Sequence, residues 1–207
     1  MIVAVEGPSA AGKTTWSRAQ AEVFVPEYQP TGDESESTNL RAQAQYWATV
    51  NSDRWSQALH LEAQSGLALS DSDPLKLHYS WCLARIGAAP HARFKHELSA
   101  VREAFAREEL GFADIIVISL PSADVLARQR ENDPTRRRRQ FALHAALAEP
   151  LATWYSAVDK VDPGRVFWNF PTTLDLADLP LKRENRSSLE VLRAVIDELP
   201  SLGSALV

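Results

Sequence analysis

Runs of apolar residues too short for helices alternate along the chain with segments whose apolar positions recur every three or four residues. The short runs predict strands at about 2–6 (IVAVE), 22–26 (EVFVP), 66–71 (GLALSD), 114–120 (DIIVISL) and 165–170 (RVFWNF). The first and fourth are the clearest, because β-branched residues dominate them and polar, Gly or Pro signals bound them. The periodic segments predict helices at about 13–21, 38–63, 75–86, 92–110, 122–131, 136–160 and 187–199. Start signals stand at Thr38 or Asn39, at Ser122 with Asp124 behind it, and at Ser187 with Glu190 three residues on. Strand and helix in alternation point to an α/β fold, a parallel sheet covered by helices. There is no internal repeat, and the polar stretch TGDESES at 31–37 predicts an acidic loop.

With 207 residues, 45% hydrophobic and 24% charged, the chain is sized for one domain, residues 1–207, with a single well-packed core. No apolar run approaches the roughly 20 residues that span a bilayer, and no cationic leader precedes the first strand, so a cytoplasmic protein is expected. The lone cysteine, Cys82, allows neither an intramolecular disulfide nor a cysteine metal cluster and reads as a buried core residue. A net charge of −5 gives no overall attraction to nucleic acid or to an anionic membrane, so neither is expected as a partner. Any anion site must be local.

One such site is written in GPSAAGKTT, the residues Gly7, Pro8, Ser9, Ala10, Ala11, Gly12, Lys13, Thr14 and Thr15. The stretch fits G-x-x-x-x-G-K-[ST], with a strand before it and a helix after it. Gly7 and Gly12 let the backbone turn so that successive N–H groups face phosphate oxygens, and the helix that follows adds the positive end of its dipole. In this reading Lys13 bridges the β- and γ-phosphates of ATP, and the Thr14 hydroxyl ligates Mg²⁺.

In an open parallel sheet ligands lie beyond the carboxyl ends of the strands, where two of the expected strands run into acids. Glu27 follows 22–26, and Asp71 and Asp73 follow 66–71. Asp71 is placed to hold Mg²⁺ through water, and Glu27 or Asp73 to orient an acceptor hydroxyl and take its proton. Asp71 or Asp73 serves equally well as a cap for helix 75–86, with Pro74 at its first turn. Arg128, and the run Arg136, Arg137, Arg138 and Arg139, place guanidinium groups near helix ends at about 128–140. At the start of a helix these charges oppose the dipole unless an anion lies close, which suggests a lid over transferring phosphate. On the acceptor side, within about 38–110, Trp47, Asn51, Arg54, Trp55 and Gln57 lie along one helix and His78 and Tyr79 on the next. They form a set of aromatic planes and polar groups suited to a small, flat, hydroxyl-bearing molecule.

Together GPSAAGKTT, VPE, SDSDP and LARQRENDPTRRRR resemble the P-loop nucleoside and nucleotide kinase superfamily, in its nicotinamide-riboside-kinase-like and deoxynucleoside-kinase-like branches. The resemblance implies a three-layer fold whose five-stranded parallel sheet has the order 2-3-1-4-5, with helices on both faces. It gives Lys13 and Thr14 the phosphate and Mg²⁺ roles, Asp71 the strand-end acid, Glu27 the position of the base, and Arg128 with 136–139 the lid. DSDP is neither the Glu-Arg-Ser of deoxynucleoside kinases nor the Asp-Arg-Tyr of thymidylate kinases. The expected activity is ATP- and Mg²⁺-dependent transfer of a phosphoryl group to a hydroxyl of a small molecule, a nucleoside-like metabolite or an antibiotic, with a homodimer left open. A nucleoside monophosphate kinase, drawing on Arg41, Arg54 and Lys76, and a regulatory ATPase without a metabolite acceptor are the alternatives.

Overall fold

The computed structural model of the chain describes residues 1–29, 39–131, 141–173 and 182–202. Four strands, β1 (Ile2–Glu6), β2 (Ala68–Asp71), β3 (Ile115–Ile118) and β4 (Val166–Trp168), form one parallel sheet in the order β2-β1-β3-β4. The helices are α1 (Lys13–Gln20), α2 (Leu40–Ser65), α3 (Leu77–Arg85), α4 (His91–Ala106), α5 (Ala123–Glu131), α6 (Phe141–Ala145), α7 (Ala148–Val161) and α8 (Leu189–Glu198).

The sheet has four strands among the described residues, not five. The segment expected at 22–26 contributes a single parallel bridge, Val25 to Ser70, on the outer edge of β2. Val25 donates its N–H to Leu69 and its carbonyl accepts from Asp71, both at 2.8 Å. Pro26 has no N–H with which to extend the ladder, Glu22 and Val23 are exposed, and Val25 is buried while Phe24 is only partly so. The four strands that form keep the relative order that the resemblance implies.

Every position of β1, β2 and β3 is buried, as a parallel sheet with both faces covered requires. Val3, Val5, Leu69, Ile115 and Val117 pack on the side of α1, with Trp16 tilted against Phe170 and its indole N–H donating to the Pro171 carbonyl. Ile2, Ala4, Ile116 and Ile118 face the larger core, built with Trp55, Trp81, Cys82, Phe105 and Trp154. Cys82 is buried as expected, and burial pushes its thiol pKa up.

Helix ends follow local chemistry. Asn39 caps α2, accepting from the N–H groups of Arg41 and Ala42 at 3.1 and 3.2 Å, and Gly66 ends it in the left-handed region at φ 77°. Ser188, one residue past the expected Ser187, caps α8 through Val191 N–H, and Ser187 instead donates to the Leu110 carbonyl. The single helix expected over 136–160 is divided: α6 ends at Ala145 and α7 begins at Ala148. Pro150 is the reason, since inside a continuous helix it would break the ladder, whereas in the first turn of α7 its missing N–H is harmless.

At the amino ends of the strands a buried charge network ties the 182–188 segment to the sheet. Asp114 accepts from Ile2 N–H at 2.7 Å and pairs with Arg186, which also donates to both oxygens of Glu62 at 2.7 and 2.8 Å. The Arg186 hydrogen bonds bring the Glu62 carboxyl down to about 2; at Asp114, burial pushes upward but the Arg186 contacts outweigh it. The network lies at the end of the sheet opposite the β1–α1 loop. No helix among the described residues is long and apolar enough to cross a membrane.

Candidate active site

The loop between β1 and α1 is fixed at both ends. Gly7 sits at φ 151°, and a Cβ there would lie 2.4 Å from the Ser119 carbonyl oxygen on the neighbouring strand end, so only glycine fits. Gly12 takes φ 85° immediately before α1 and carries no side chain to cap it, so among the described residues its first amides are available to an anion. The Lys13 ammonium folds back over the loop and donates to the Gly7 carbonyl at 3.0 Å.

Beside the loop, the Thr14 hydroxyl donates to Asp71 Oδ2 at 2.6 Å. Asp71 Oδ1 is buried with no hydrogen-bond partner among the described residues. Burial is the main influence pushing the Asp71 pKa up, opposed by the Thr14 hydrogen bond. A hydroxyl in contact with a buried carboxylate that keeps one oxygen uncommitted is a donor set suited to a hard cation such as Mg²⁺, which takes one or two protein oxygens together with substrate phosphates.

The loop forms one wall of a cavity of about 710 Å³. Glu27 and Tyr28, after the Val25 bridge, Trp47, Asn51 and Arg54 of α2, Lys76, His78 and Tyr79 at the start of α3, Arg93 and Glu97 of α4 and His144 of α6 make up the rest of it. Tyr28 meets Trp47 edge to face with ring centroids 5.4 Å apart. Asn51 donates to the Leu75 carbonyl at 3.4 Å. Arg54 is committed to the frame, donating to the carbonyls of Pro26, Asp71 and Ser72 at 3.2, 2.9 and 3.0 Å. It thereby gathers the ends of the Val25 segment and of β2 at one point. Arg93 is paired with Glu97 at 2.8 Å.

Beneath the loop lies a buried polar chain that periodicity does not reveal. Glu6 Oε1 accepts from Gly7 N–H at 3.0 Å, and Oε2 accepts from Asp73 N–H at 3.2 Å and from the Lys76 ammonium at 3.3 Å, with His78 Nε2 3.4 Å away. His78 Nδ1 is 3.2 Å from the Tyr155 hydroxyl, which donates to Asp73 Oδ2 at 3.1 Å. Burial, the largest single influence, pushes Glu6 up, but Lys76 and His78 outweigh it and hold the carboxyl well below its ordinary value. Burial raises both Asp73 and Tyr155.

Among the residues singled out from the sequence, the loop 7–15, Glu27, Trp47, Asn51, Arg54, His78 and Tyr79 surround the cavity, with Asp71 behind Thr14. Asp73 also binds the Leu75 N–H at 3.0 Å, the capping geometry, and is wholly buried. Trp55 lies in the core rather than the cavity, and Gln57 is exposed outside it. Trp55 follows Arg54 by 100° around α2, so the face that sends 47, 51 and 54 to the cavity sends 55 into the core. Arg128 is exposed on α5 and is not among the cavity walls. The lid arginines 136–139 lie outside the described residues. Glu6 and Tyr155 were missed, although a charged residue ending a strand otherwise buried on both faces was a signal for the first.

No family model matches the chain. No curated protein matches it in sequence either. Among solved structures it is similar to a deoxyadenosine kinase from M. mycoides with the products dCMP and a flexible dCDP bound, at 13% identity, TM-score 0.54, covering 95% of each chain. It is similar to the same enzyme with dCTP bound, at 13% identity, TM-score 0.56, over 96% of this chain and 100% of that one. With dATP bound the values are 15% identity and TM-score 0.56, over 86% and 94%. Over nearly its whole length, the chain has the fold of these deoxyadenosine kinase structures.

Proposed function

We propose that the protein is an ATP- and Mg²⁺-dependent kinase that transfers the γ-phosphoryl group to a hydroxyl of a nucleoside-like acceptor. The observation that carries this reading is that one cavity is lined by a phosphate loop, with Asp71 against Thr14, by aromatic side chains and by a carboxylate, Glu27. The nucleotides bound by the neighbours of like fold support the same substrate class.

In this reading the loop amides and Lys13 hold the donor phosphates, and Thr14 and Asp71 hold Mg²⁺. Bound there, Mg²⁺ supplies charge neutralisation on the phosphates. Tyr28, Trp47 and Tyr79 enclose a flat acceptor and exclude water, and Asn51 gives the pocket a polar edge. Glu27, 30% exposed and open to the cavity, orients the acceptor hydroxyl. The hydroxyl oxygen attacks the γ-phosphorus as the bond to the β–γ bridging oxygen breaks. The electron pair leaves on ADP and the hydroxyl proton passes to the Glu27 carboxylate.

Arg54 Nε and Nη2 and Arg93 Nε are held by protein oxygens, which favours a hydroxyl acceptor over a nucleoside monophosphate, while Arg54 Nη1 is buried without a partner among the described residues. The lid role of Arg128 and 136–139 is proposed from the arginine run and from the resemblance, and a homodimer is a separate proposal. The test is ADP release from Mg-ATP across a panel of ribonucleosides, deoxynucleosides, nicotinamide riboside, nucleoside antibiotics and the corresponding monophosphates. Release stimulated by at least one unphosphorylated nucleoside is expected. Stimulation by monophosphates alone, or by nothing in the panel, overturns the reading.

A further inference from the structure

Lys76 stands immediately before α3 with φ 48°, in the left-handed region where glycine or asparagine would be at ease and a lysine is strained. The strained backbone puts its ammonium at the cavity wall between two carboxylates, 3.3 Å from Glu6 Oε2 and 4.0 Å from Glu27 Oε1. The first contact is a hydrogen bond; the second is too long to be one. An ammonium has three donors, and among the described residues Glu6 takes one.

Neutralising Glu6 accounts for only part of this placement. That carboxylate already accepts from Gly7 and Asp73 N–H and faces His78 Nε2 at 3.4 Å. Glu6 is also the residue that holds the first amide of the phosphate loop, so an ammonium tethered to it is tethered to the loop. Lys13 and Lys76 both line the cavity. Lys13 is held by the Gly7 carbonyl of the loop, and Lys76 lies 4.0 Å from Glu27.

We infer that Lys76 is a second phosphate-binding lysine, a catalytic residue whose ammonium contacts the terminal phosphoryl group of the donor from the acceptor side, opposite Lys13. This rests on the phosphate-site part of the function proposed above. During transfer Lys76 keeps its proton and stabilises the charge spread over the phosphoryl oxygens, while Glu27 receives the proton of the acceptor.

The test needs no acceptor. Calorimetry would measure the affinity of the full chain for Mg-ADP and for the Mg complex of the non-hydrolysable β,γ-imido analogue of ATP. The proteins are wild type, Lys76→Met and Lys76→Gln as neutral variants, and Lys76→Arg as the cationic one, each checked for folding by its melting transition. Removing the ammonium should weaken the triphosphate about tenfold to a hundredfold, the scale of one hydrogen bond to a charged group, and change ADP affinity less than about threefold. Lys76→Arg should restore most of the loss. If the two nucleotides weaken by the same factor, or neither weakens, in whichever neutral variant folds, Lys76 does not contact the terminal phosphoryl and the inference fails while the nucleotide site stands. If wild type binds neither nucleotide, the phosphate-site reading itself has failed and takes the inference with it.

Discussion

Asp71→Asn separates what the site costs the fold from what it does for the ligand. Asp71 is 2% exposed, its Oδ2 accepts from Thr14, and its Oδ1 has no partner among the described residues. A buried charged oxygen left unpaired costs about 1–3 kcal/mol, and asparagine removes that charge while still accepting from Thr14, though by a hydrogen bond weaker by about 1 kcal/mol. The amide nitrogen that takes the place of Oδ1 must find an acceptor of its own, so the net effect at pH 7 is a stabilisation of at most about 2 kcal/mol. In a chain of this size each kcal/mol moves the melting point by about 2–4 °C, so the variant should melt up to about 8 °C higher. The sign with pH follows from the raised Asp71 pKa: ionisation destabilises the folded wild type as pH rises through that value. The advantage of the variant should therefore shrink as pH is lowered towards the unfolded carboxyl value of about 4. Melting curves from pH 4 to 8 without divalent cation, paired with Mg²⁺ titrations of nucleotide binding, read both halves. A variant that melts lower at pH 7, or one that keeps wild-type Mg²⁺ dependence, would refute the reasoning, since Asp71 would then be a structural cap and not a metal-site carboxylate.

Other substitutions test the remaining parts. Glu27→Gln should lower the transfer rate by about a hundredfold or more with nucleotide affinity retained, the separation being read from steady-state kinetics against calorimetry. Gly7→Ala should cost about 1–3 kcal/mol by denaturant unfolding and weaken ADP binding, because its Cβ would meet the Ser119 carbonyl at 2.4 Å and Ser119 is itself bonded to Glu6. Arg186→Met should destabilise by up to about 5 kcal/mol at neutral pH by removing the guanidinium from the buried Asp114 carboxylate and from Glu62, which keeps the Met1 ammonium and Lys182. Both carboxyls are depressed in the fold, so the stability they contribute is present above their unfolded values near 4 and is lost as pH falls towards about 2. The difference in melting point between wild type and variant should close over that window.

What could be read from the chain was what neighbours in sequence decide. β1, the glycine-bearing loop and α1 form one continuous local signal, and β3 is an unbroken β-branched run. The edge at 22–26 looked like its counterparts because Pro26 counts as apolar in a pattern yet removes the donor a ladder needs. Period alone gave α2 its inner stripe but not the turn of 100° that separates Arg54, on the cavity, from Trp55, in the core. The chain of Glu6, Lys76, His78, Tyr155 and Asp73 joins β1, the β2–α3 turn, α3 and α7. No periodicity encodes a contact between residues 73 and 155, and only the packing of α7 against α3 creates it.

The central claim is that this cavity passes a phosphoryl group between two small molecules and does not merely bind or hydrolyse a nucleotide. Incubation with γ-labelled Mg-ATP and the nucleoside panel, with separation of products by chromatography, tests it directly. The account predicts label in a phosphorylated nucleoside in amounts equal to the ADP formed, and neither product with Lys13→Ala. Label appearing only as inorganic phosphate, at the same rate with and without nucleoside, would contradict it.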